Sequence, residues 1–218
     1  MNTKAIREIG ILLIVLIPFI YLGMVYSQLP DQVPTHFNLS GEPDRYSDRA
    51  TLVWIILGLN IFIYILFLII PKISPTKFEK INDKIYYRLR FGITFIMAAI
   101  SALIIYMANG DAAIGIQILA VIFAVLCMFI GNYMQAVKTN YFIGIRTPWT
   151  LSNEEVWRKT HYVSGRLFFY GGLISLPLLF LVPSNLAPIP PVSVLVGTAI
   201  FSMIYSYIIF KKVKTEKS

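Results

Sequence analysis

The sequence predicts an all-α integral membrane protein with six transmembrane helices, both termini cytoplasmic, a short extended outer loop and an interfacial cytoplasmic helix. Two observations carry that expectation. Six apolar stretches, near 9–26, 50–70, 91–107, 112–130, 167–182 and 192–210, contain none of the chain's 19 basic and 11 acidic residues. A spanning helix needs about 20 apolar residues, and a charge at the bilayer centre costs at least about 2.5–3.5 kcal/mol. The connections then alternate in basic content: Lys plus Arg counts run 2, 2, 6, 0, 5, 0 and 4 along the seven polar segments, 17 on one side and 2 on the other. The positive-inside rule converts that asymmetry into an orientation, with the amino and carboxyl termini on the cytoplasmic side of the plasma membrane.

The first stretch follows Lys4 and Arg7, as the h-region of a signal peptide does. It is longer than the usual 7–15 or so residues of an h-region and contains Pro18 and Tyr21, so it is expected to be retained as a span. Spans two to four are continuous apolar runs, with Gly92, Ala98, Ala99, Ser101 and Ala102 giving span three a close-packing face and Gly171 and Gly172 doing so for span five. Pro177 is expected to kink span five. Asn60 and Gln117 are polar side chains inside spans, where interhelical hydrogen bonding is the plain role and a transport path the sharper one. The expected organisation is a single polytopic domain, 1–218. It comprises an N-terminal hairpin of spans (9–70) and four further spans (91–210).

The formal net charge of +8 does not indicate direct nucleic-acid binding. Its distribution follows from topology and from attraction to anionic lipid, worth about 1 kcal/mol per basic residue near the surface, so the lipid bilayer is the first expected partner. Cys127 stands alone, so there is no disulfide framework. No HExxH, G-x-S-x-G or phosphate-binding glycine loop occurs, and no catalytic residue, cofactor or metal is expected. His36 with Asp31, Glu42, Asp44 and Asp48 has ligand-type side chains but irregular spacing.

Two loops hold most of the information. The outer segment 29–46, LPDQVPTHFNLSGEPDRY, is rich in turn residues. Val33, Thr35, Phe37 and Leu39 alternate with Pro34, His36 and Asn38, suggesting a short strand-like piece followed by a turn from Asn38 to Gly41. The inner segment 140–168 reads NYFIGIRTPWTLSNEEVWRKTHYVSGRLF. Pro148 drives Thr147 out of helical conformation. Ser152 with Glu155 forms a capping-box pattern, so a helix is expected from about Asn153 into span five. Arg158, Lys159 and Arg166 on it suit headgroup phosphates. The two histidines fall on opposite sides of the expected membrane and cannot share a site.

Both segments resemble those of SdpI-type immunity proteins, directly over about 47 residues and, through motif order and span layout, along nearly the whole chain. The resemblance implies a non-enzymatic membrane protein that protects a toxin-producing bacterium from its own secreted peptide. In addition, it implies a receptor role in which a small cytoplasmic repressor is held at the membrane. Carried over by position, His36, Phe37, Asn38, Gly41, Pro43, Asp44, Arg45 and Tyr46 face the toxin. Asn140, Gly144, Arg146, Thr147, Pro148, Trp149, Thr150, Trp157 and His161 form the inner output or folding element. The alternative for every one of these is local structure: turns, interfacial anchors and phosphate contacts. A transporter or small-molecule sensor is the competing function. An intramembrane hydrolase built on Glu154 and Glu155 is a more distant one, since no membrane-embedded histidine completes a centre.

Overall fold

The computed structural model describes residues 3–38, 42–73, 83–110 and 112–216. Their order is α1 (Thr3–Val25), β1 (Gln32–Phe37), β2 (Pro43–Asp48), α2 (Arg49–Ile73), α3 (Asp83–Ala108), α4 (Ala112–Met134), α5 (Pro148–Ser152), α6 (Glu154–Leu178) and α7 (Ile189–Thr215). Helices dominate because a chain in hydrocarbon must satisfy every backbone N–H and C=O within its own segment. The side chains are distributed the opposite way from those of a water-soluble protein. Leu13, Ile20, Met24, Trp54, Phe62 and Ile204 are more than half exposed, whereas Ser101, Ser164, Ser202, Ser206 and Thr160 are wholly buried. Lipid tails solvate the first group and helix packing satisfies the second.

Five helical segments are long and apolar enough to cross a bilayer: Lys4–Gln28, Arg49–Ile73, Asp83–Ala108, Ile114–Met134 and Ser184–Thr215. They correspond to expected spans one to four and six. The stretch at 167–182 is different. Its helix, α6, is continuous from Glu154, and the part beyond Arg166 is a 12-residue apolar segment ending at Leu178. At 1.5 Å per residue that covers about 18 Å, short of the roughly 30 Å hydrocarbon core. Pro177 sits one residue from the helix end, so it marks a terminus and not a mid-span kink.

The described residues form two compact units. The first takes in 1–68, 87–122 and 179–188. Its core joins Leu22 and Leu29, at and just beyond the end of α1, to Val33 of β1, Leu52 and Ile56 of α2, and Ile105 and Ala108 of α3. The hairpin of β1 and β2 is therefore rooted in the helix core through a side chain with no exposed surface. Within this unit Asn60 donates to Ser101 Oγ at 2.7 Å and to the Ile56 carbonyl at 2.9 Å. Gln117, by contrast, is exposed and donates to Ser184 Oγ at 2.8 Å.

The second unit takes in 69–86, 123–178 and 189–218. Here α6 packs on α7, with Ser202 Oγ donating to Ser164 Oγ at 2.7 Å. The second half of α4 meets α6 backbone to backbone. A Cβ on Gly131 would lie 2.4 Å from the Phe169 nitrogen and 2.5 Å from the Gly165 carbonyl oxygen, so no larger residue fits without separating the helices. Gly172 meets the Ala124 carbonyl in the same way, as the small-residue pattern anticipated, whereas Gly171 packs on Val194.

Candidate functional site: a rooted hairpin and a loop–helix knot

The outer motif folds as a two-stranded antiparallel hairpin, where alternation in the sequence suggested one strand-like piece. Gln32 pairs with Asp48, Val33 with Ser47, Pro34 with Tyr46, His36 with Arg45 and Phe37 with Pro43. The register shift between Pro34 and His36 leaves Thr35 bulged, its hydroxyl 3.2 Å from Ser47 Oγ. At the tip, Asn38 N–H donates to the Glu42 carbonyl and Glu42 N–H to Asn38 Oδ1, both at 2.9 Å. Gly41 and the middle of the expected turn lie outside the described residues. Cross-strand polar pairs join Gln32 to Asp48 and His36 Nδ1 to Asp44 Oδ1, the latter at 2.5 Å.

Arg49 ties the base of the hairpin. Its N–H donates to the Asp31 carbonyl at 3.0 Å, its guanidinium lies 3.4 Å from the Asp31 carboxylate, and it stands 5.3 Å over the Tyr26 ring. His36, Asn38, Asp44, Arg45 and Tyr46 are exposed, with Phe37 and Pro43 half-buried. Among the described residues no group of three or more His, Cys, Asp or Glu side chains converges as a metal site.

The inner motif is built the other way round. Asn140, 1% exposed, accepts from the Phe142 and Ile143 N–H groups at 2.9 and 2.7 Å and donates to the Lys138 and Ile143 carbonyls. It uses both ends of its amide to turn the chain. Gly144 follows at φ +110°, and a Cβ there would lie 2.4 Å from His161 Nε2. The next N–H, Ile145, donates to that same nitrogen at 3.0 Å. His161 must therefore carry its proton on Nδ1, which donates to the Trp157 carbonyl at 2.8 Å. The imidazole stacks on the Trp157 indole with centroids 3.9 Å apart, and indole Nε1–H donates to the Val137 carbonyl at 2.9 Å. Burial pushes the His161 imidazole down to about 4, against the smaller upward pull of the Trp157 carbonyl.

Thr147 takes the extended backbone that Pro148 imposes and caps α5 in a reciprocal box with Thr150. Thr150 Oγ1 donates to the Ile145 carbonyl at 2.8 Å, and Thr147 Oγ1 lies 3.1 Å from Ser206 Oγ on α7. Trp149 packs against Tyr207 with centroids 5.0 Å apart, and Arg146 donates to the Tyr141 carbonyl at 2.7 Å.

The helix start at 153 is right but its cap is Asn153, whose Oδ1 accepts from the Glu155 and Val156 N–H groups at 2.9 and 3.2 Å. Ser152 instead ends α5 and donates to the Trp149 carbonyl. Glu155 pairs with Lys159 at 2.8 Å, one turn on. The nine inner residues thus form one connected knot, with Gly144, Arg146 and Pro148 exposed and Asn140, Thr147, Thr150, Trp157 and His161 buried.

Residues 136–209, which contain the knot, match the SdpI/YfhL protein family, and residues 13–61, which contain the hairpin, match a domain of unknown function, DUF1648. Over 94% of this chain and 97% of the relative, the sequence is 26% identical to the immunity protein SdpI of Bacillus subtilis (strain 168). The chain resembles SdpI along nearly its whole length. A 50-residue stretch, 23% of this chain and 27% of the other, is 44% identical to an uncharacterized protein of Archaeoglobus fulgidus. No solved structure matches. The SdpI likeness, five apolar spanning segments and lipid-facing apolar surface together make this a multi-pass membrane protein similar to an immunity protein.

One element of the SdpI-like chain escaped sequence reading altogether. Arg90, 6% exposed, forms a two-pronged ion pair with Glu8 at 2.5 and 2.9 Å and lies 5.1 Å over the Tyr64 ring. Both charges read as span flanks in the sequence. Their only sequence signal is opposite sign at the ends of two runs placed on the same side of the membrane.

Proposed function

We propose that this protein confers immunity to a secreted antimicrobial peptide and reports the peptide's presence across the membrane. The observation that carries the reading is the SdpI likeness extending over 94% of the chain, through both motifs. In this reading the two motifs do different work. The hairpin presents His36, Asn38, Asp44, Arg45 and Tyr46 outward on a rooted frame, and these side chains contact the peptide. The inner knot spends most of its side chains on internal bonds. Of its exposed members, Arg146 and Pro148 are the surface offered to a small cytoplasmic repressor, while Gly144, at the turn, and the buried Asn140, Thr147, Thr150, Trp157 and His161 hold that surface in shape.

In this reading the chain crosses six times with both termini inside, α6 completing the set. Its polar half buries Thr160, His161 and Ser164 within the protein and its apolar end meets lipid. The test is survival of a toxin-sensitive host expressing the protein, challenged with secreted cationic and apolar killing peptides. Protection lost on combined His36→Ala, Arg45→Ala and Tyr46→Ala substitution, with membrane levels unchanged, is expected. Killing unaltered by the intact protein with every peptide sinks the proposal. Reporter fusions after residues 46 and 155 should be active outside and inside, respectively.

A further inference from the structure

Of the three bases that α6 carries before its apolar end, two have an acid at hand. Lys159 pairs with Glu155, and Arg158 shares a cavity with Glu154. Arg166 differs. Among the described residues no carboxylate meets its guanidinium, which lies 4.9 Å over the Tyr162 ring. It lines a cleft of about 360 Å³ between α4 and α6, with Gly131, Asn132 and Gln135 on one wall and Tyr162 and Tyr170 on the other. That volume falls within the roughly 300–1,000 Å³ of ligand sites. No acidic side chain lines it. Gln135 lies against Gly165, the residue before Arg166, its Cγ 3.2 Å from where a Cβ would stand.

The cleft is the polar end of a longer groove. α4 and α6 cross antiparallel here, Gly131 against Gly165 and Ala124 against Gly172. At 3.6 residues per turn, Val125, Met128, Asn132 and Gln135 share about 80° of arc on α4. On α6, Tyr162, Arg166, Tyr170, Leu173 and Ile174 share about 120°. Along both faces the polar groups lie at one end and apolar ones follow, with Val125, Leu173 and Ile174 exposed. From Arg166 to Ile174 the change takes about 12 Å. A ligand complementary to that gradient has an anionic head and an apolar tail, and basic pockets between membrane helices hold such headgroups. The planar, five-donor guanidinium suits a phosphodiester, and the two amides suit the hydroxyls and ester carbonyls beside it. We propose that the α4–α6 groove binds one anionic glycerophospholipid, its phosphate on Arg166 and its acyl chains along Leu173 and Ile174. None of the nine knot residues lines the cleft, so the site stands apart from the proposed immunity function and does not depend on it.

Native mass spectrometry of the full-length protein tests this, with release from mixed micelles holding equal amounts of dioleoyl-phosphatidylglycerol and dioleoyl-phosphatidylcholine. The two lipids share acyl chains and phosphodiester, but choline sets its own cation against Arg166. One phosphatidylglycerol is expected to be retained at least about tenfold over phosphatidylcholine, the scale of one charge-assisted hydrogen bond. Arg166→Gln should bring that ratio close to unity. Lys212→Gln, which removes an equal charge from the exposed end of α7, should leave it unchanged. Gln135→Glu sets a carboxylate in the cleft, should also abolish the preference, and carries the test if Arg166→Gln does not fold. Equal retention of both lipids by the intact protein overturns the proposal, as does a preference that survives both cleft variants or falls as far in Lys212→Gln. Displacement of the bound lipid by glycerol phosphate assigns the cleft to a free phosphate and overturns it equally.

Discussion

Protonating His161 should unfasten the inner knot. Its Nε2 accepts the Ile145 N–H, so a second proton on the ring sets two donors against each other, in a site with 1% exposure. The sign of the pH dependence follows. An unfolded histidine takes up a proton around its ordinary 6.5, while the native ring resists until about 4. Between those values the unfolded chain binds more protons, so stability rises with pH across the window and is fully present above it. Going from pH 8 to pH 5 is expected to remove about 2 kcal/mol, and going to pH 4 or below about 3. For a chain of this size that is about 4–8 °C in melting temperature at pH 5. The assay is thermal unfolding of purified protein from pH 8 to 5, with His161→Gln as the reference in which this slope is absent. Other titrating groups cancel in the difference. The imidazole resonance of labelled His161 gives the same quantity directly. Titration near 6.5, or melting curves of the two proteins that shift in parallel with pH, refutes the reasoning.

Gly144→Ala should be more damaging than its size suggests, because positive φ costs an L-residue about 1–3 kcal/mol and the new methyl lands on His161 Nε2. Loss of soluble, monodisperse protein on extraction checks it. Asn140→Ala leaves two half-buried N–H groups without their acceptor and is expected to cost about 1–3 kcal/mol, measured by denaturant or thermal unfolding. Trp157→Phe keeps the ring but strands the Val137 carbonyl, with an expected loss of about 1–3 kcal/mol by the same measurement. Arg90→Met alone should destabilise by about 1–3 kcal/mol, less than for a fully buried pair because the Glu8 carboxylate it abandons is 42% exposed. Arg90→Met with Glu8→Leu should recover most of that loss in a double-mutant cycle.

The helices at 3–25, 49–73, 83–108, 112–134 and 189–215 were legible because hydrophobicity over about 20 residues has few other physical meanings. α6 was harder. Its first half buries polar side chains against the protein, so averaging over the helix conceals a buried element as a solvated one. β2 gave no signal because PDRYSD has no apolar alternation. Its pairing is set by the Asn38–Glu42 turn and by polar partners across the ladder, which sequence spacing does not reveal. The residue types of the inner motif were visible, but their partnership was not. Nothing in the spacing of Gly144 and His161 says that one must be a glycine because the other's ring nitrogen occupies its Cβ position. At 152 and 153 two adjacent capping residues competed, and the short helix α5 decided between them by taking Ser152 as its own last residue.

The glycine contact between Gly131 and Gly165 has a mechanical corollary. Most helix interfaces contain rotamers that can flip, and such flips absorb small displacements before they travel. Here main chain rests on main chain, so there is no slack to take up. A tilt or slide of α4 at that crossing must reappear in α6, undiminished, a few residues from the histidine that clasps the loop.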